Sequence, residues 1–380
     1  MPELDLFRME RYQSLYWHDV EHDLSESGVS PLTIRELLDD DVASFPETAL
    51  GYPLSEGSLE TRTNVAAWYD GATTENVTVV NGGSEANFLA LWTLLGPRDR
   101  LAFMVPNYME GWGLGRSFGA GTDTFSLRQV DGRWALDLDE LERAVTPATK
   151  VVMVCNPDNP TGSVLSEDEM DAVVAAAERV GAWIVADEIY RGAEVDTDET
   201  TPSFWGRSER VAVTSGLSKA FAMPGLRIGW IVAPHTLLEQ IWERHDYTTL
   251  TPGMVSDRLA AHAMQPSVRE RVLARTRRII RTNLPRLEEW IAPHPEMSYV
   301  RPTAGAITYV TYDLEIGSAG LVERIRTEQS VLLVPGEMFG LDPQGDGRGL
   351  RFGYGYDIEH TMKGLARADE VFRAVGGAPA

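Results

Sequence analysis

The chain has 380 residues, 43% hydrophobic and 24% charged, an ordinary balance for a globular protein with a sizeable core and, at roughly 150 residues per domain, two to three domains' worth of length. Its 57 acidic residues against 34 basic ones give a formal charge of −23, which repels phosphate backbones and anionic lipid and argues against nucleic-acid or membrane-surface binding. The single cysteine, Cys155, excludes an internal disulfide framework and a multi-cysteine zinc site.

Read from the start, MPELDLFRMERYQ carries charges throughout and has no apolar signal core. No run reaches the ~18 apolar residues that a membrane-spanning helix needs, so the expectation is a soluble, cytoplasmic protein. The first forty residues are too few to stand alone and are expected to pack on a later unit. Strands are predicted at Val77–Val80, Leu101–Val105, Val151–Cys155, Trp183–Ala186, Val211–Thr214 and Arg227–Val232. Amphipathic helices are predicted between them at Glu85–Leu95, Asp139–Val145 and Glu167–Val180. Continuous apolar strands alternating with helices indicate βαβ units and a sheet covered on both faces. A long Arg-rich helix is predicted over Val268–Trp290, then strands at Ala306–Tyr312 and Val331–Val334 and a closing helix near Thr361–Val375. The expected division is a large domain over residues 44–275 and a smaller α+β domain from residues 1–43 and 276–380.

The basic residues include only three lysines, Lys150, Lys219 and Lys363. Lys150 and Lys363 read as surface residues. Lys219 stands just past the apolar strand VAVTSG, at the carboxyl edge of a parallel sheet, where α/β proteins place ligands. Three other segments share that placement. Gly82-Gly-Ser-Glu-Ala-Asn87 follows a strand and opens a helix, so its glycines and free N–H groups suit an anion. Asp187, in Ala186-Asp-Glu-Ile-Tyr190, ends an apolar strand, where a buried carboxylate needs a partner such as a pyridinium nitrogen. Asn156-Pro-Asp-Asn-Pro-Thr-Gly162 follows VVMVC, and its Asn-Pro pairs enforce extended turns.

Together these four segments, in this order and spacing, resemble the class I/II aminotransferases of fold type I, which use pyridoxal 5′-phosphate (PLP). Tyr52 through Gly57 with Arg62, Pro106-Asn-Tyr108, Val334 through Gly340 and Leu350-Arg-Phe-Gly353 extend the likeness over nearly the whole chain. Thr61 replaces the usual leucine before Arg62, and Gly216 stands where many relatives have a phosphate-binding serine. The resemblance implies an α/β fold with a mostly parallel seven-stranded sheet between helices and a smaller α+β domain. It further implies Lys219 as the Schiff-base and proton-shuttling lysine, with Asp187 on the pyridine nitrogen. Tyr190 and Asn159 would bind the ring's phenolic oxygen and Tyr108 would stack on its face. Gly83, Ser84, Glu85, Ser218 and Arg227 would form the phosphate side, joined by Tyr52 of a neighbouring subunit in a homodimer. Arg351 and the Gly28 backbone would take the α-carboxylate of an amino acid exchanging its amino group with a 2-oxo acid. Asp23 through Val29 with Pro31 through Leu37 is similar to a branch that includes capreomycidine synthase, an enzyme acting on a modified arginine. On that branch Glu26 would face the substrate side chain and select a cation, and elimination, cyclisation or oxidation would replace amino transfer.

Other patterns carry less. Gly111-Trp-Gly113-Leu-Gly115 followed by Gly119 imitates a dinucleotide fingerprint, but the third glycine of G-x-G-x-x-G falls on Arg116 and no strand precedes it correctly. Asp196-Thr-Asp198-Glu199 lacks the remaining ligands of a calcium loop. The seven histidines show no metal-ligand spacing, so no metal is expected. His245, among Glu243, Arg244 and Asp246, reads as a surface residue, and Tyr12 through Trp17 as core or interface. A PLP-sensing transcription regulator would need a winged helix before Tyr52, and that segment is too short and too acidic for one.

Overall fold

The structure is a computed structural model that describes residues 4–39, 45–340 and 348–376. The expected domain boundary at residues 43/44 lies outside the described residues. In chain order the strands are β1 (His22–Asp23), β2 (Val77–Val80), β3 (Arg100–Val105), β4 (Gly121–Val130), β5 (Arg133–Leu136), β6 (Thr149–Cys155) and β7 (Trp183–Asp187), followed by β8 (Val211–Gly216), β9 (Gly229–Val232), β10 (Met297–Tyr299), β11 (Ile307–Tyr312), β12 (Val331–Leu332), β13 (Val334–Pro335) and β14 (Gly349–Gly353).

The main sheet runs β2-β9-β8-β7-β6-β3-β4-β5. Neighbours from β8 through β4 pair in parallel, whereas β9 and β5 run against their neighbours. The sheet therefore has eight strands, not the seven expected. The eighth belongs to a hairpin, β4–β5, that apolar-run patterning misses because only three of the ten positions of β4 are buried. Its signal is the Asp131-Gly132 turn, where both residues take a positive φ (49° and 77°), as a tight hairpin requires. β2, β8 and β9 are buried at every position, as expected of strands covered on both faces.

Local sequence explains the helices beside the sheet. Glu167–Val180 opens on a Ser166/Glu169 capping box and stops at Gly181, which takes the left-handed φ of 69°. β9 begins two residues later than expected, because Arg227 closes a 3-10 turn over Pro224–Leu226 at φ 50° and cannot start a strand. A second sheet, β10-β11-β14-β13, is antiparallel, and β1 pairs in parallel with β12. Among the described residues no helix is long and apolar enough to cross a membrane.

Candidate active site

The carboxyl ends of β2, β6, β7 and β8 open on a cavity of about 570 Å³. Eleven of the fourteen residues singled out from sequence line it: Glu26, Gly83, Ser84, Tyr108, Asn159, Asp187, Tyr190, Ser218, Lys219, Arg227 and Arg351. These residues come from segments far apart in sequence, and the parallel topology is what gathers them.

One corner suits an anion. The helix Gly83–Leu94 points its first N–H groups there. Arg227 lies against its start: a side chain at Gly82 would put a carbon 2.4 Å from the guanidinium. Arg227 also donates to the Ser218 hydroxyl at 3.3 Å and to the Pro224 carbonyl at 3.0 Å. Gly229 packs so closely that an added carbon would sit 2.4 Å from the Gly82 backbone. This glycine contact lets the strand pair β2–β9 hold the helix start in place.

The Asp187 carboxylate stands elsewhere in the lining, at the end of β7. One oxygen accepts from the Ile189 N–H at 3.0 Å and the other from the Asn87 amide at 2.9 Å. Burial pushes its pKa upward and these two donors pull it back. Lys219 brings its amine to 2.9 Å from Glu26 Oε1, which also accepts from the N–H groups of Ser27 (2.9 Å) and Gly28 (2.8 Å). Burial alone would raise the Glu26 pKa, but the Lys219 ammonium, the Gly28 N–H and Arg351 outweigh it and hold the carboxyl at about 2.

Arg351, on β14, is buried at 1% exposure. It donates to Asn159 Oδ1 at 2.9 Å and to the Ser25 carbonyl, while its Nε has no partner among the described residues. A guanidinium among the lining residues has the charge and planar fork that suit a carboxylate. Burial raises the Tyr190 phenol far above its ordinary value, so it remains a hydroxyl. Tyr108 donates its hydroxyl to Glu10 at 2.8 Å and packs edge-on against Phe7 with ring centroids 4.9 Å apart.

Three named residues stand outside the lining. Gly28 backs it, its N–H taken by Glu26. Glu85 faces away, accepting from the Asn81 N–H at 2.6 Å and the Thr249 hydroxyl at 2.8 Å. Tyr52 is 87% exposed and borders a separate cavity with Leu50 and Asn81. His245 is buried, not on the surface as expected. It falls on the face of its helix that carries Leu238 and Ile241, and helical spacing outweighs its charged sequence neighbours. Lys150 and Lys363 are exposed.

Sequence reasoning misses Asn87, Glu110 and one whole wall. That wall is the helix Arg8–Tyr16 and its flanks, which bring Phe7, Glu10, Gln13 and Trp17 to the cavity. Gln13 and Trp17 are thus cavity residues, not only core or interface. Asn87 has a local signal, a lone amide in an otherwise apolar stretch of helix. Glu110 donates nothing visible to pattern reading, yet burial raises its carboxyl to about 8, with Asn87 the largest opposing influence. A carboxyl protonated in the folded state to that pH ionises earlier when unfolded, so its contribution to stability is lost as pH rises from about 4.5 to about 8. Glu110→Gln is therefore expected to unfold at higher temperature than wild type, with a gap that widens between pH 5.5 and 8 by up to about 3 kcal/mol. Thermal melts of the two apo-proteins check this, and a gap independent of pH refutes it.

A sequence profile of the family described as aminotransferase class I and II matches residues 23–357. Capreomycidine synthase of Streptomyces vinaceus is 30% identical over 360 residues, covering 92% of this chain and 89% of that protein. The crystal structure of a PLP-dependent aminotransferase from Streptococcus suis 89-1591 superposes with a TM-score of 0.90 at 29% identity, covering 98% of this chain and 99% of that one. The PLP-dependent cyclase OrfR superposes with a TM-score of 0.87 at 28% identity, covering 98% of both chains. The chain belongs to the class I/II aminotransferase family, with its fold type I architecture and its PLP cofactor. The residues present fit that cofactor: an anion corner closed by Gly82 and Arg227, a buried carboxylate with two neutral donors, and a lysine amine open on the same cavity.

Proposed function

We propose that this chain is an aminotransferase that moves the amino group of an α-amino acid to a 2-oxo acid. The observation that carries the reading is the shared cavity of Lys219, Asp187 and Arg351, an amine, a carboxylate and a carboxylate receptor. When bound, the cofactor supplies an aldehyde that bonds to amines and a pyridinium that draws electrons from the α-carbon. Asp187 holds the pyridinium proton by its charge, and the helix start at Gly83 and Ser84 binds phosphate with Ser218 and Arg227. Tyr190 and Asn159 would hydrogen-bond the ring oxygen, and Tyr108 would lie against the ring. Arg351 fixes the substrate carboxylate, and the Gly28 backbone supports it through Glu26. Lys219 Nζ carries the proton off the α-carbon, held in reach by Glu26 at 2.9 Å. The exposed Leu50 and Tyr52, at 83% and 87%, belong to a homodimer interface that brings Tyr52 to the partner's phosphate corner.

A second reading has one specific support. Glu10, Glu26 and Trp17 all line the cavity, a set whose chemistry suits a cationic side chain. It makes the donor an arginine-like amino acid, and the chemistry the cyclisation, elimination or oxidation of such a substrate. Holoenzyme given a panel of amino acids with a 2-oxo acid acceptor, arginine and its hydroxylated forms included, separates the two by mass spectrometry. Transfer yields the donor's own 2-oxo acid in step with a new amino acid from the acceptor. A product that forms without acceptor and retains the amino nitrogen overturns the first reading in favour of cyclisation.

A further inference from the structure

The carboxylate of Asp187 can serve a pyridinium only while it is ionised, and nothing cationic holds it so. Only two neutral donors, the Ile189 N–H and the Asn87 amide, face it among the described residues. We infer that Asn87 is the positioning residue that keeps Asp187 ionised and turned into the cavity, acting as a clamp set by Thr214 and Glu110. The inference rests on the reading of Asp187 given above.

Asn87 is 1% exposed, and every polar group of its amide is engaged. Its Nδ2 donates to Asp187 Oδ2 at 2.9 Å and to Glu110 Oε2 at 3.1 Å. Its Oδ1 accepts from the Thr214 hydroxyl at 2.6 Å. An ionised Asp187 accepts only, so the NH₂ end must face it, and the Thr214 hydroxyl meets the other end of the amide. The amide therefore cannot turn over without leaving a buried oxygen opposite a carboxylate, an arrangement that costs more than a lost hydrogen bond. Thr214 is on β8 and Asp187 on the adjacent β7, where the two are Cα partners in register. Asn87 stands on the helix that also opens the phosphate corner. One side chain thus ties the two ends of the cofactor site to the same sheet edge. Glu110 completes the clamp, and its burial keeps it neutral at neutral pH, so that the amide does not lie between two anions.

The test loads the full-length enzyme with PLP carrying nitrogen-15 in the ring and reads the protonation of that nitrogen by NMR at neutral pH. Wild type is expected to show a protonated ring nitrogen and Asp187→Ala an unprotonated one. Asn87→Ala is expected to shift toward the Asp187→Ala position. Its kcat should fall about ten- to a hundredfold, the range of a lost hydrogen bond to a charged group, with little change in KM. Should Asn87→Ala not fold, Thr214→Val frees the amide and is expected to give the same shift in weaker form, with Thr214→Ser restoring it. A wild-type resonance in the variant that folds, beside a shifted Asp187→Ala, overturns the role of Asn87 alone. A wild-type resonance in Asp187→Ala overturns the reading of Asp187, and the clamp with it.

Discussion

Lys219→Ala is expected to leave a folded protein that takes up PLP without any covalent mark and turns over at least about 10⁴-fold more slowly. The magnitude follows from combining two losses, a covalent nucleophile and a general base worth about 10²–10⁴ by itself. Lys219 is a lining residue that donates to Glu26 at 2.9 Å. Borohydride reduction followed by peptide mass mapping reads the outcome directly: wild type carries a stable pyridoxyl group on Lys219, and the variant carries none. A mark on Lys150 or Lys363 in wild type, or unchanged turnover in the variant, refutes the assignment. Arginine would not rescue the variant, because a permanently charged guanidinium has no free electron pair to bond an aldehyde.

The second large effect concerns Arg351. Arg351→Ala is expected to raise the amino-acid KM by roughly 10- to 100-fold, the loss of a charge-assisted pair, while cofactor affinity changes little. The separation is geometric. Arg351 is on β14 of the small sheet, whereas the phosphate corner is built on the main sheet from Gly83, Ser218 and Arg227. Arg351→Lys should fall between, since a lysine keeps the charge and loses the fork. Steady-state kinetics with the best donor, alongside PLP titration of the apo-variants, checks both halves. Weakened PLP binding with an unchanged KM would refute the role.

The portion of the site legible in the sequence is the portion carried by strand ends. Lys219, Asp187, Asn159 and Gly83 each come soon after an apolar run, so their position at the sheet edge follows from a short local pattern. Phe7, Glu10, Gln13 and Trp17 have no such anchor. They reach the cavity because the helix Arg8–Tyr16 lies across its mouth, a tertiary placement that periodicity does not encode. Glu110 stands two positions after Tyr108 at the start of a short helix, and only its burial reveals that it carries a proton. The eighth strand was legible through Asp131-Gly132, but its partner, buried at only three of ten positions, gives no apolar run to count. His245 shows the opposite failure, in which sequence neighbours mislead and helical spacing decides.

The helix Arg8–Tyr16 is held at its ends by Arg8 to Glu337 at 3.4 Å, by Asp5 to Arg116 at 2.5 Å and by Gln13 to Ser25 at 3.0 Å. None of these tethers touches the phosphate corner, Asp187 or Lys219. The chain therefore separates the wall that admits a substrate from the floor that performs the chemistry. Exchanging Trp17 changes the shape of the entrance while Asp187 and Lys219 keep their positions, whereas Phe7 and Glu10 also touch Tyr108. For an engineer, the part of this wall to replace first is Trp17, since Glu10 accepts from Tyr108 and Gln13 shares the Ser25 carbonyl with Arg351.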